Sequence, residues 1–106
     1  MFVAINYISC KEEYKPRFES LFLTRAHAID RMPGFIEMKV LKPQDQQSDY
    51  LIVSHWEDEQ AFKSWTGSTE FREGHRRGFQ DIEAAKSAGQ EPPVTSSFKT
   101  YQVLTT

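Results

Sequence analysis

Trp65 and His75 stand ten residues apart in the stretch Asp58 to Phe79, DEQAFKSWTGSTEFREGHRRGF, with Gly67, Ser68 and Thr69 between them. An imidazole can ligate a metal or carry a proton near neutral pH. Phe71, His75, Phe79 and Ile82 recur at i, i+4, i+8 and i+11, one apolar helical stripe whose only polar member is the histidine. A histidine in that setting is most often a core residue whose ring nitrogens find a carbonyl or a water. Gly74 and Gly78 point elsewhere, because each glycine in a helix interior costs about 1 kcal/mol relative to alanine. A flat object brought against the helix backbone would account for both, and a metal macrocycle ligated by His75 would be such an object.

Two other side chains stand out. Asn6 interrupts the apolar set Phe2, Ala4, Asn6, Ile8 of an N-terminal strand. Mid-strand on such a face a carboxamide needs a partner, and an unpaired one costs about 1–3 kcal/mol. Asn6 is therefore a candidate site residue, against the commoner reading of an Asn at a turn or strand end. Arg25 falls within the inner stripe of a helical segment. Most such arginines snorkel to water, and one at a pocket rim would hold a carboxylate.

The elements that must position these residues follow from periodicity and punctuation. Phe2 to Ser9 is a strand, with Val3, Ile5 and Tyr7 on its second face, also apolar; apolar groups on both faces call for cover on both. Glu12 to Met32 is predicted as one long helix, started near Pro16, stopped by Pro33-Gly34, with Tyr14, Phe18, Leu21, Phe22 and Ile29 inside. Phe35 to Leu41 and Tyr50 to Trp56 make a hairpin around a polar loop. Asp58 caps a short helix that turns Ala61, Phe62 and Trp65 inward; Gly67 ends it, and Ser68 or Thr69 caps the helix of His75. Glu83 to Ser97, small and polar, is predicted as a frayed helix end and loop, and Phe98 to Leu104 as the last strand.

The chain's 106 residues make one domain, and 39% hydrophobic and 13% aromatic residues furnish a core or pocket. A net charge of −2 argues against nucleic acid and anionic membrane as partners. The lone Cys10 makes no internal disulfide, and no Cys/His cluster points to zinc. Met1 to Ile5 lacks the flanks of a signal peptide and no stretch approaches a membrane span, so a cytoplasmic protein is expected. The order β-α-β-β-α-β is that of an α+β, ferredoxin-like domain with a broken second helical region. Its two helices cover one sheet face. The other is left for a second copy, which predicts a homodimer built as an α+β barrel.

Asn6, the segment RAHAIDRMPGF from Arg25 to Phe35, HWEDEQAFKSW from His55 to Trp65, and His75 together resemble the IsdG-type haem-degrading monooxygenases of the antibiotic-biosynthesis-monooxygenase superfamily. The likeness spans nearly the whole chain and is weakest from Glu83 to Ser97. It implies that haem is both cofactor and substrate, that O2 and an external electron donor or reductase are needed, and that ring opening releases iron and a linear tetrapyrrole. It implies His75 as the proximal iron ligand, Asn6 as the carboxamide over the haem, and Trp65 as the indole that ruffles the ring. Phe71 and Phe79 would line the haem site and Arg25 would contact a propionate, while His27 and His55 are read as structural. One feature departs from the actinobacterial branch, which the RAHA segment echoes: that branch has one residue fewer between Trp and His, whereas the spacing here matches the staphylococcal branch and leaves the product open. A cofactor-free monooxygenase acting on an aromatic molecule, and a haem carrier without turnover, are the alternatives.

Overall fold

The computed structural model describes residues 1–106. Strands β1 (Phe2–Cys10), β2 (Phe35–Leu41), β3 (Tyr50–Trp56) and β4 (Val94–Gln102) form one antiparallel sheet in the order β2-β3-β1-β4. Helices α1 (Lys15–Leu23), α2 (Glu59–Thr66) and α3 (Thr69–Ser87) complete the ferredoxin-like order. The register pairs Ala4 with Ser54 and Asn6 with Ile52, so alternation puts Ala4, Asn6, Ile8, Ile52, Ser54 and Trp56 on one face. The core lies on that face in two clusters: Ala28, Ile29, Trp56 and Trp65 at one end, Ile8, Phe18 and Tyr50 at the other. Val3, Ile5 and Tyr7, with Val53 and Leu51 beside them, form the opposite face.

The break between α2 and α3 follows local chemistry. Asp58 accepts the Ala61 N–H at 2.9 Å and Ser68 accepts the Phe71 N–H at 3.0 Å, so both helix starts are capped as their sequences require. No helix is long and apolar enough to cross a membrane.

Two expectations are corrected. The helix predicted over Glu12 to Met32 is instead a 3-10 turn at Glu12–Tyr14, helix α1, an open segment, and a second 3-10 turn at Ala28–Arg31. Two things end α1: the Thr24 hydroxyl donates back to the Ser20 carbonyl at 2.7 Å, and the Arg77 guanidinium takes the carbonyls of Leu21 and Thr24 at 3.0 and 2.9 Å. His27 then adopts φ +58°, which no right-handed helix can contain. The second correction is at the C-terminal end. Helix α3 continues to Ser87 on its alanines and closes in a Schellman turn, with Gly89 at φ +71° and the Gln90 N–H bonded to the Ala85 carbonyl at 2.9 Å. Strand β4 starts at Val94, not Phe98, because Val94 to Ser97 pair with Cys10 to Tyr7. A polar edge strand needs only the ladder, so its composition resembles a loop.

Gly34 is held at φ +81°, and a Cβ there would stand 2.6 Å from that of Ala61. Gly34→Ala combines left-handed strain, of order 1–3 kcal/mol, with that overlap. It is expected to cost about 2 kcal/mol or more, lowering the thermal midpoint by about 8 °C or more in calorimetry.

Candidate active site

A cavity of about 240 Å³ lies between the helix-covered sheet face, α3 and the segment Arg25–Ile29. Asn6 reaches it from β1, Trp65 from α2, Phe71 and His75 from α3, and Arg25 from the open segment after α1. The fold thus gathers five of the six residues expected at the site. Phe79 is the sixth, and it does not line the cavity; it is half exposed and stacks against the His75 ring. Position i+8 on a helix is already two turns away, so a shared stripe does not guarantee a shared pocket.

Two aromatic rings pack against His75. Phe71 stacks on it at 4.1 Å between centroids and 26° between planes, Phe79 at 5.4 Å and 23°. Its Nδ1 lies 2.7 Å from the Phe71 carbonyl, one helical turn back. A carbonyl only accepts, so Nδ1 carries the proton, and in the neutral ring Nε2 keeps a free lone pair. Burial pushes the imidazole pKa below its ordinary value of 6.5, and the bond to Phe71, which also suits the charged ring, offsets this only in part. The result is a neutral donor atom beside an apolar cavity.

Across the cavity, the Asn6 carboxamide makes no hydrogen bond with the protein. It is not sealed in, so it is open to a ligand. Trp65 is 6% exposed, packs edge-on to Phe71 at 5.2 Å, and lies 6.1 Å from the His75 ring. At the rim Arg25 donates to Asp30 at 3.2 Å, while His27 Nδ1 meets the other carboxylate oxygen at 3.0 Å. Burial works against ionisation of Asp30, but the bonds from His27 and Arg25 outweigh it and hold the carboxyl below its ordinary value. His27 therefore borders the cavity mouth, whereas His55 is on the other sheet face, 3.8 Å from Glu37.

Ser54 is a cavity residue that the sequence reading missed. It is 7% exposed, lines the cavity, and accepts the Trp56 indole N–H at 2.9 Å. The signal was present: Ser54 is the polar exception among Tyr50, Ile52, Ser54 and Trp56, as Asn6 is in β1. The glycines divide. A Cβ on Gly74 would meet Ala28 and Trp65 at 3.6 Å, so that glycine lets protein pack close; Gly78 faces open space.

The residues present fit a flat metal macrocycle in kind. One free imidazole nitrogen opens on an apolar enclosure, an unpaired carboxamide faces it, and no group of three His, Cys, Asp or Glu could chelate a bare ion instead. The cavity is smaller than the roughly 300–1,000 Å³ of common small-molecule sites, so a large ring must widen it or project through the mouth.

Fold and cavity together define a ferredoxin-like α+β domain with one aromatic-walled ligand site. The antibiotic biosynthesis monooxygenase family matches residues 1–77. A heme oxygenase (mycobilin-producing) of Mycobacterium tuberculosis is 36% identical over 76 residues, covering 70% of this chain and 72% of that protein. A heme oxygenase (staphylobilin-producing) of Staphylococcus epidermidis is 33% identical over 78 residues, covering 72% and 74%. Among solved structures, the heme-degrader MhuD from Mycobacterium tuberculosis, with two hemes bound in its active site, superposes with a TM-score of 0.71 at 28% identity, over 100% of this chain and 98% of that one. The chain belongs to the antibiotic biosynthesis monooxygenase family, in the group of IsdG-type haem-degrading monooxygenases, and is an enzyme of the monooxygenase class.

The depressed His75 pKa has a consequence for stability. Below pH 6.5 the unfolded chain takes up a proton on this residue while the folded chain still excludes it. Stability is therefore expected to fall as pH drops below that value, down to the folded pKa. His75→Phe, which removes the titration and keeps the stack, should flatten that part of the profile in denaturant titrations of ligand-free protein.

Proposed function

We propose that this protein is a haem-degrading monooxygenase that holds haem through His75 and opens its ring with O2 and electrons from an external donor, releasing iron and a linear tetrapyrrole. The observation that carries this reading is the neutral, half-buried His75 with Nε2 free, beside the same cavity as an Asn6 carboxamide without a partner. The names of the relatives support it independently.

Haem supplies the redox chemistry and is also the ring consumed. The protein supplies binding and orientation. His75 offers Nε2, made a better donor by the Nδ1–H···O=C bond to Phe71. Phe71, Ile52, Met38 and Phe62 bury the faces of a ring, at about 25 cal/mol per Å² of apolar area removed from water. Arg25 can exchange Asp30 for a carboxylate of the ligand at the mouth. Trp65, 6.1 Å from the His75 ring, would pack against a ring held by His75. Asn6 would offer its amide N–H to a polar atom bound with the ring.

Titration with hemin is expected to give a Soret band that bleaches when ascorbate is added in air. His75→Ala should lose the Fe–His Raman band and turnover. Asn6→Ala should bind hemin almost as well as wild type but degrade it about 10²–10³-fold more slowly, the range for one donor placed at developing charge. A wild-type rate in Asn6→Ala would falsify the role given to it.

The cavity volume favours a second reading, a cofactor-free monooxygenase acting on a smaller aromatic molecule with His75 Nε2 as base. Absence of a Soret band would select it, and a Soret band stable to ascorbate would select a haem carrier.

We further propose a homodimer in which the uncovered sheet faces meet. Ile5, Tyr7, Leu51 and Val53 share that face and are partly exposed, beside the buried Val3. Sedimentation at micromolar concentration should give twice the mass of 12.3 kDa, and Ile5→Lys with Val53→Lys should shift it to one chain.

A further inference from the structure

We propose that the Ser54 hydroxyl is a second hydrogen-bond donor to the atom that Asn6 addresses, a small negatively polarised ligand on the side of the haem away from His75. The inference rests on the haem reading and adds a residue to it. Ser54 pairs with Ala4 across β3 and β1, one diagonal step from Asn6, and both side chains line the cavity. It is the only polar member of the buried set.

Its hydrogen bonding is lopsided. The oxygen accepts a 2.9 Å bond from the indole N–H of Trp56, whose side chain is fully buried. Its own proton reaches only the Ala4 carbonyl, at 3.5 Å, the far limit for such a bond. A hydroxyl that already accepts a good bond is a stronger donor, and its proton re-aims by rotation about the C–O bond without moving a heavy atom. Trp56 thus both anchors and polarises a proton that the protein itself hardly uses. Placed on an apolar floor beside an unpaired carboxamide, that proton serves a polar ligand atom and would be wasted on an apolar one. The competing role is purely structural: Ser54 satisfies the Trp56 N–H and does nothing else.

Hemin complexes of wild type, Ser54→Ala, Ser54→Thr and Ser54→Ala/Trp56→Phe decide between them, read by azide affinity in the ferric state and by the C–O stretch of the ferrous carbon monoxide complex. Neither measurement depends on turnover. Both alanine variants are expected to bind azide about tenfold more weakly, as for one lost hydrogen bond, and to raise the C–O stretch, because a lost donor reduces back-donation from iron. Ser54→Thr, which keeps the hydroxyl, should match wild type in both. The double variant guards against misfolding, since it removes the indole N–H that Ser54→Ala alone would leave without an acceptor. Wild-type azide affinity and C–O stretch in the double variant would reduce Ser54 to a partner of Trp56 and overturn the proposal, as would a shift of equal size in Ser54→Thr. A wild-type protein without a Soret band overturns the haem reading and this assignment together, whereas an intact Soret band with insensitive alanine variants overturns this assignment alone.

Discussion

The 2.7 Å hydrogen bond from His75 Nδ1 to the Phe71 carbonyl is the contact on which the site depends. It decides which ring nitrogen carries the proton and leaves the other with its lone pair. Keeping the ring neutral requires burial, because water would otherwise stabilise the cation. Phe71, Phe79 and Trp65 supply that burial around the ring. The break at Gly67 follows from the same need: α2 has to end there for Trp65 to face α3, and Ser68 has to cap the new start.

Helix α3 also holds the mouth of the cavity. Arg77 bonds the Leu21 and Thr24 carbonyls and the Thr24 hydroxyl just before the open segment, and Glu73 pairs with Arg31 at 2.8 Å just after it. Gly74 lets Ala28 approach between them. The segment bearing Arg25 and His27 is thus tied at both ends to the helix that bears His75. Between those ties the two side chains bond only Asp30, so that is where the enclosure has room to yield to a ligand larger than the cavity.

The sheet contributes the other wall and a division of labour between its faces. On the covered face only small exceptions to apolarity reach the cavity, Asn6 from β1 and Ser54 from β3. A donor on a strand held by ladders on both sides is a rigid donor, because moving it would break the ladder. Loops can bring a charged group to a rim, as the segment after α1 brings Arg25, but a fixed angle at the ligand is better supplied by a strand.

Much of this was legible in the sequence, and the legible part was local. The order of elements, the caps at Asp58 and Ser68, the inward stripe of His75 and the odd carboxamide of Asn6 all follow from periodicity and from side chains that bond their own backbone within a few residues. The rest was decided by partners far away in the chain. Arg77 ends α1 from 53 residues off, and β1 turns a polar tail into β4. Phe79 shares the helical stripe of His75 yet lies outside the cavity, two helical turns on from Phe71. A hydrogen-bond donor looks for an acceptor in space, not along the chain, so the sequence determined which groups needed partners and only the tertiary structure decided which partners they met.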